Sequence, residues 1–170
     1  MRRANRYDLE ASEFCNRACR RPRVERWFAL VSRLGDGPLW YALILALPLA
    51  YGAAALPVSL AMGLAALAGL ACYKLLKVGT SRPRPYAVSP RIRLGTAPLD
   101  QFSFPSGHTL HAVAFSLMAS SQYPELVWVL VPFTLLVAAS RVVLGLHYPS
   151  DVLAGAALGA LFGLLGLSLI

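Results

Sequence analysis

The sequence predicts an all-α membrane protein, a polytopic transmembrane helical bundle with about five spanning helices and one amphipathic helix before them. Hydrophobic residues make up 57% of the 170 residues and charged residues only 14%, which is too apolar for an ordinary soluble domain. Lys and Arg are also absent from residues 34–73 and 94–140, and each stretch is long enough to hold spanning helices.

The net charge of +8 is concentrated in three places. Nine arginines lie between Arg2 and Arg33, six basic residues lie between Lys74 and Arg93, and Arg141 stands alone. A nucleic-acid-binding protein would carry its basic residues on soluble elements, whereas these flank apolar spans. The anionic partners that we expect are therefore membrane lipid headgroups and a phosphate substrate, not nucleic acid.

The first 34 residues form an Arg-rich N-terminal segment, separate from a membrane domain over residues 35–170. Residues 1–10 are expected to be frayed. Residues 11–34 mix arginines with apolar side chains, which predicts an amphipathic helix lying in the membrane interface. A helix packed on the ends of the other helices is the open alternative. Gly35-Asp36-Gly37-Pro38 then breaks the chain.

Five apolar stretches follow. The first two approach the roughly 20 residues that a bilayer requires, and the third is expected to form a shorter helix. The expected spans are residues 39–56, 57–76, 106–121, 124–144 and 151–170. The polar, proline-rich stretch 79–104 cannot cross lipid, so it is expected to form a loop over one mouth of the bundle. In the last span, glycines at four-residue spacing predict a packing groove, formed by Gly155, Gly159 and Gly163.

The side of the membrane that this loop faces is left open. Five spans put the amino terminus, the 79–104 loop and the 145–150 turn on one face, and the positive-inside rule favours the cytoplasmic side for that face. If the 11–34 helix crosses the membrane as well, the sidedness reverses relative to the amino terminus.

Three polar islands interrupt the apolar chain, and we define them as Lys77–Pro85, Pro105–His108 and Ser140–Asp151. Cations and histidines beside hydrocarbon are costly, and an anionic ligand such as phosphate explains their presence. A phosphate-cleaving enzyme must neutralise the non-bridging oxygens, offer a nucleophile and protonate the leaving oxygen.

The islands contain residues suited to each task. Positive charge can come from Lys77, Arg84 and Arg141, and the guanidinium groups can each hold two oxygens. Ser106 and Gly107 open a helix whose free amides favour an anion.

The two island histidines suit two roles. Asp151, four residues after His147, can fix its tautomer and leave the other ring nitrogen free to attack phosphorus. His108, at the positive end of its helix, suits the general acid. Asp100 and Asp151 are the only carboxylates near the islands in the sequence, so we predict chemistry without a metal or other cofactor. His111 is expected to be structural and Asp100 to lie on the surface, while Arg82 is left open between substrate binding and a headgroup contact.

These residues resemble the type 2 phosphatidic acid phosphatase (PAP2) superfamily, which also includes vanadium haloperoxidases and bacterial acid phosphatases. The family pattern is Lys, six residues, Arg-Pro; then Pro-Ser-Gly-His; then Ser-Arg, five residues, His, three residues, Asp. Here the pattern is met with the same spacing by Lys77…Arg84-Pro85, Pro105-Ser106-Gly107-His108 and Ser140-Arg141…His147…Asp151.

The resemblance implies a haloperoxidase-like helical core in which His147 forms a phosphohistidine, Asp151 supports it and His108 protonates the leaving group. It also implies that the phosphate is held by Lys77, Arg84, Ser106, Gly107 and Arg141. The membrane members have six spanning helices and a site facing away from the cytoplasm. This chain departs from them in its short, Arg-rich first helix.

The resulting hypothesis is a multi-pass phosphatase of the bacterial inner (cytoplasmic) membrane that hydrolyses a lipid phosphate or diphosphate. An outward site would favour undecaprenyl diphosphate. An inward site would favour phosphatidylglycerophosphate, phosphatidic acid or a polyprenyl-linked sugar phosphate. The alternatives are a vanadate-dependent haloperoxidase-like enzyme and a non-catalytic membrane lipid-binding scaffold, and the oligomeric state is left open.

Overall fold

A computed structural model describes residues 3–170 of the chain, with side chains from residue 6 onward, and all regular structure in this range is helical. Met1 and Arg2 of the predicted N-terminal segment lie outside the described residues. The α-helices are α1 (Arg3–Asn16), α2 (Pro22–Leu34), α3 (Pro38–Tyr51), α4 (Leu56–Thr80), α5 (Pro85–Val88), α6 (Gly107–Gln122), α7 (Val127–Val143) and α8 (Pro149–Leu167). Short 3-10 helices lie at Arg17–Arg20, Ala53–Ala55 and Pro124–Leu126.

The N-terminal segment differs from its prediction in two ways. It is helical from Arg3, so the expectation of frayed residues is wrong for residues 3–10. It also forms two helices instead of one over 11–34, because the chain turns at Arg17–Arg21 before α2 begins. Pro22 explains the break, since it has no N–H to continue a helix and suits the first position of a new one. The interfacial placement of this segment stays a prediction.

By length and composition, three helical stretches within residues 3–170 are able to cross a membrane: Ala53–Val88, Pro124–Val143 and Pro149–Leu167. A fourth is obtained if α2 and α3, which are bent by 46° relative to each other, are counted as one broken span. All five predicted spans are present as helices, but α3 and α6 have only 14 and 16 residues. The helix predicted for 39–56 ends at Tyr51 because Gly52 takes a positive φ of 75°.

Helix α6 lies at the centre of the bundle and packs against α4, α7 and α8. Its closest approach is to α8, where a glycine row replaces side chains with backbone. A Cβ added at Gly155 would lie 2.4 Å from the Ser106 carbonyl oxygen, and one at Gly159 would lie 2.4 Å from that of Leu110. The predicted packing groove is therefore confirmed, and it fixes the position of α8 on α6.

The core and the outer surface are both apolar. Trp40 is buried with its ring centroid 5.6 Å from that of Phe115, and its indole N–H donates to the Gly35 carbonyl oxygen at 3.0 Å. On the outside, large apolar side chains such as Leu49 and Trp128 are exposed by 87% and 82%. Such a surface is expected of a protein whose solvent is lipid.

The glycine groove generates the first prediction. Replacement of Gly159 by Ala should destabilise the protein by about 1–3 kcal/mol, because the methyl group collides with the backbone of α6. The matched control is Gly63→Ala in α4, where an added Cβ meets nothing within 4 Å and the gain in helix propensity should leave stability unchanged or higher. Thermal unfolding in detergent compares the two variants, and equal midpoints would contradict the groove.

Candidate active site

All eight predicted site residues come together at one end of the bundle, where several helix ends meet. Lys77 lies near the end of α4, Arg84 just before α5, Ser106, Gly107 and His108 at the start of α6, Arg141 near the end of α7, His147 in the following turn and Asp151 in the first turn of α8. Four of them line one cavity, namely Lys77, Gly107, His108 and His147. The three islands thus form one site.

His147 is buried, with only 1% of its surface exposed. Its Nδ1 faces the Asp151 carboxylate at 3.6 Å, and its Nε2 accepts from an Arg84 N–H at 3.3 Å. Asp151 lies beside the ring as expected, but the predicted hydrogen bond is not formed among the described residues, because 3.6 Å is too long and Nδ1 has no hydrogen-bond partner there. Burial, reinforced by the charges of Arg141, Arg84 and Lys77, lowers the pKa of His147 well below its ordinary value. The surroundings of the ring therefore favour its neutral form, which the predicted role as a nucleophile requires.

Asp151 is fully buried and held from two further sides. Its Oδ2 accepts from the Tyr148 backbone N–H at 2.9 Å, and its Oδ1 accepts from Arg82 at 2.6 Å. These bonds place the carboxylate in the first turn of α8, behind the histidine ring.

Three cations surround His147, and the protein itself neutralises them only in part. Lys77, Arg84 and Arg141 are exposed by only 6%, 2% and 3%. Arg141 makes no ion pair with a carboxylate in residues 6–170, and its Nη1 donates to the Ser32 hydroxyl instead. Its Nε has no hydrogen-bond partner among the described residues. Because an unpaired buried charge is expensive, this arrangement suits an anionic ligand.

Asp100 lies at the surface as predicted, with its side chain 38% exposed, but it also contacts two cations of this site. Its carboxylate pairs with Lys77 Nζ at 2.5 Å and with Arg84 Nη2 at 2.7 Å. Burial alone would raise the pKa of Asp100, but the two ion pairs hold it below its ordinary value. The loop 89–104 folds back over the site and carries Asp100 to it, a long-range contact without a signature in the sequence.

The start of α6 forms another side of the site. Ser106 caps the helix by accepting from the Thr109 backbone N–H at 3.4 Å, and Gly107 brings the backbone against the Tyr73 ring. His108 Nε2 lies 3.2 Å from Asp36 Oδ1. Asp36 comes from the Gly-Asp-Gly-Pro break, which the sequence identified only as a turn.

His111 and Arg82 both have protein partners. The Nε2 of His111 lies 3.2 Å from the Ala66 carbonyl oxygen and its ring stacks on Phe115, in agreement with the predicted structural role. Arg82, for which the sequence allowed either substrate binding or a headgroup contact, pairs with Asp151 and with Asp8 of α1. Two further carboxylates near the islands, Asp8 and Asp36, were therefore missed, because neither lies close to an island in the sequence.

The site opens into a cavity of about 990 Å³ that runs along α3 and α4. The histidines and Lys77 lie at one end, and the walls farther from them are mostly apolar, formed by Ile44, Ser59, Leu60, Gly63, Leu64, Leu67 and Leu70. A pocket that is polar at one end and apolar along its length suits an amphiphilic ligand.

The sequence matches a known family over most of its length. The model of the PAP2 superfamily matches residues 54–170. An undecaprenyl-diphosphatase from Bacillus subtilis is 35% identical over 103 residues, which cover 61% of this chain and 53% of that protein. A decaprenylphosphoryl-5-phosphoribose phosphatase from Mycobacterium tuberculosis is 41% identical over 126 residues, which cover 71% and 67%. The chain thus spans about half to two thirds of the length of these curated relatives.

Two solved structures share the arrangement of helices. LpxE from Aquifex aeolicus superposes with a TM-score of 0.77 and 27% identity, covering 94% of each chain. A PAP2-type phosphatidylglycerolphosphate phosphatase from Bacillus subtilis superposes with a TM-score of 0.74, covering 99% of this chain and 86% of that one. The second structure is 24% identical, so its likeness concerns the fold alone.

The ion pairs of Asp100 generate the second prediction. Asp100→Asn leaves Lys77 and Arg84 without their carboxylate, so the variant should be less stable in phosphate-free buffer and should bind inorganic phosphate about tenfold more tightly. The control is Glu10→Gln, which removes a carboxylate from an exposed pair with Arg6. Thermal unfolding over a phosphate titration measures both effects, and unchanged or weaker phosphate binding would contradict this role of Asp100.

Proposed function

The chain belongs to the PAP2 superfamily, and from this membership we propose that it is a membrane enzyme that hydrolyses the phosphomonoester or diphosphate headgroup of a lipid. The observation that carries the proposal is the position of a buried His147 at the polar end of an apolar cavity, with the incompletely neutralised Arg141 among the charges that act on its ring. A phosphate group supplies the missing negative charge, and a hydrocarbon chain suits the walls.

The first step that we propose is attack of His147 Nε2 on phosphorus. Asp151 and Arg84 both favour the tautomer with the proton on Nδ1, because the carboxylate faces Nδ1 and the guanidinium donates to Nε2. A nitrogen–phosphorus bond forms while the bond to the leaving oxygen breaks. The bound phosphate and Asp36 favour the protonated form of His108, which gives its proton to that oxygen, so the lipid leaves as a neutral alcohol or as a lipid phosphate.

The second step is hydrolysis of the phosphohistidine. His108, now neutral, accepts a proton from water, whose oxygen attacks phosphorus and releases His147 and inorganic phosphate. In both steps charge develops on the non-bridging oxygens. Lys77, Arg84 and Arg141, with the Ser106 hydroxyl and the Gly107 backbone amide, are the groups that we propose stabilise it.

The first substrate class that we propose is a polyprenyl-linked phosphate or diphosphate. Two relatives, the undecaprenyl-diphosphatase and the decaprenylphosphoryl-5-phosphoribose phosphatase, are named for substrates with polyprenyl chains. The match to the second covers 71% of this chain. Phosphatidylglycerophosphate and phosphatidic acid also combine an anionic headgroup with apolar chains, as the cavity requires. An assay of the three lipids decides among them. We further propose that the enzyme lies in the bacterial cytoplasmic membrane.

Phosphate release from a lipid panel is the third prediction. The detergent-purified chain, with EDTA present, should release phosphate from one of undecaprenyl diphosphate, phosphatidylglycerophosphate or phosphatidic acid faster than from a soluble monoester. His147→Ala should lower kcat by about a thousandfold or more, because the covalent nucleophile is lost. Arg141→Gln should lower kcat/KM, whereas Arg91→Gln, which removes an exposed cation, should not.

Three results of this assay would contradict the proposal in different ways. Loss of activity in EDTA would contradict chemistry without a metal. Lipid hydrolysis that survives His147→Ala would assign the site another role. A folded protein that hydrolyses none of the lipids would refute the phosphatase, and halide oxidation on addition of vanadate would then favour the peroxidase.

The pH dependence is the fourth prediction. Since the pKa of His147 is lowered, its neutral form persists below the ordinary value of about 6.5, and the acid limb of kcat/KM should lie at lower pH. The phosphate of a monoester substrate itself titrates near pH 6. Its ionisation is therefore measured by ³¹P NMR, and the profile of kcat/KM is corrected for it. A corrected acid limb above pH 6.5 would contradict a neutral, cation-surrounded nucleophile.

A further inference from the structure

Arg82 lies between two carboxylates that come from opposite ends of the chain. Its Nη1 donates to Asp151 Oδ1 at 2.6 Å, and its Nη2 donates to Asp8 Oδ2 at 2.6 Å. The guanidinium also stacks on the Tyr148 ring, 4.0 Å from its centroid. One planar fork thus connects α1 with the first turn of α8, which carries Asp151.

Asp8 is the most connected acidic residue of α1. Besides Arg82, its carboxylate accepts from the Ser150 backbone N–H at 3.1 Å and from the Ser150 hydroxyl. Arg82 Nη1 in turn donates to the Ser150 oxygen at 2.8 Å. The Asp8 side chain is only 10% exposed, although its neighbours Arg6 and Tyr7 are exposed. The carboxylate is therefore held by several charge-assisted bonds and not by a single surface ion pair.

The connection continues to the histidine. Asp151 receives Arg82 on Oδ1 and presents Oδ2 to His147 Nδ1 at 3.6 Å. If Arg82 faced Asp151 alone, its full positive charge would weaken the negative potential behind the imidazole. Asp8 takes a share of that charge and fixes the plane of the guanidinium.

We propose that Asp8 is a positioning residue of the active site, which acts through Arg82 to hold the Asp151 carboxylate behind His147 and to preserve its charge. The inference rests on the proposed phosphatase function for its kinetic part only. It assigns a role to α1, which lies before the residues that the family model matches.

A matched control lies on the same helix. Glu13 also ties α1 to the rest of the protein, by accepting from the Ser89 hydroxyl at 2.7 Å and pairing with Arg91 at 3.5 Å. Asn16 anchors the end of α1 independently, through hydrogen bonds to Arg93. Asp8→Asn and Glu13→Gln therefore each remove one negative charge and one tether from α1, but only Asp8 reaches Arg82.

The tautomer of His147 gives a test that does not require turnover. The chain has three histidines, so ¹⁵N-histidine labelling with assignment by His147→Ala isolates this ring. We expect the wild type and Glu13→Gln to hold the proton on Nδ1, whereas Asp8→Asn should show a larger share of the Nε2 tautomer, limited by the Arg84 N–H that still donates to Nε2. An unchanged tautomer ratio in Asp8→Asn would overturn the proposal, whether or not the chain is an active phosphatase.

The kinetic test uses the acid limb of kcat/KM. The groups that face His147 are Asp151, Arg84, Arg141, Lys77 and His108, with Asp100 paired to two of these cations. Loss of the Asp8 charge disfavours the imidazolium, so in Asp8→Asn the limb should move to lower pH by about half a unit, less than the roughly one to three units caused by a charge in direct contact.

In the same variant kcat should fall about tenfold, as for one lost charge-assisted hydrogen bond, with little change in KM. Glu13→Gln should keep both the wild-type kcat and the wild-type limb. The substrate is the same throughout, so its own ionisation cancels.

A second variant covers the case in which Asp8→Asn does not fold. Arg82→Lys keeps the positive charge but loses the fork that joins the two carboxylates, so kcat should fall about tenfold while the limb stays in place. Wild-type kcat in Arg82→Lys would overturn the proposal. An inactive wild type, in contrast, refutes the phosphatase function, and the tautomer ratio then decides the role of Asp8 alone.

Discussion

The rest of the structure depends on the burial of three cations at the mouth of an apolar bundle. Lys77, Arg84 and Arg141 are each less than a tenth exposed, and an uncompensated charge in such surroundings costs several kcal/mol. The loop 89–104 folds back to bring Asp100 to two of them, and α2 packs on α7 to bring the Ser32 hydroxyl to the third. The compensation is incomplete at Arg141, and that deficit is the physical basis for the anionic substrate that we propose.

The distance between the start of α6 and the start of α8 is set by direct contact between the backbones of these two helices. The glycine row of α8 lets its backbone approach that of α6, and the same contact brings the Ser106 N–H to the Asp151 carbonyl oxygen at 3.0 Å. Thus the start of α6, which carries His108, and the start of α8, which follows His147, are joined by backbone and not by flexible side chains. A site built on rigid helix ends would keep its geometry when the lipid substrate that we propose enters the cavity.

The sequence predicts those features of the protein that depend on residues close together in the chain. The eight island residues and the all-helical fold were predicted from local patterns, because helix periodicity and apolar length are local properties. The partners of the islands were not predicted. Asp100 and Asp8 reach the site only after a loop and a helix fold back over 23 and 74 residues, measured to Lys77 and Arg82. Such contacts leave no periodic pattern in the sequence. The break before Pro22, which separates α1 from α2, was not predicted either.

The N-terminal segment is better described as part of the site than as an appended anchor. The matched family region begins at residue 54, yet Arg82, Arg141 and His108 each have a partner before it, namely Asp8, Ser32 and Asp36. Without that segment, Arg141 would lose the hydroxyl that it contacts, and Arg82 would bear on Asp151 alone. Removal of one partner from a buried charged network leaves the other uncompensated, which costs more than the contact itself contributes. The short Arg-rich segment therefore completes the electrostatics of the core.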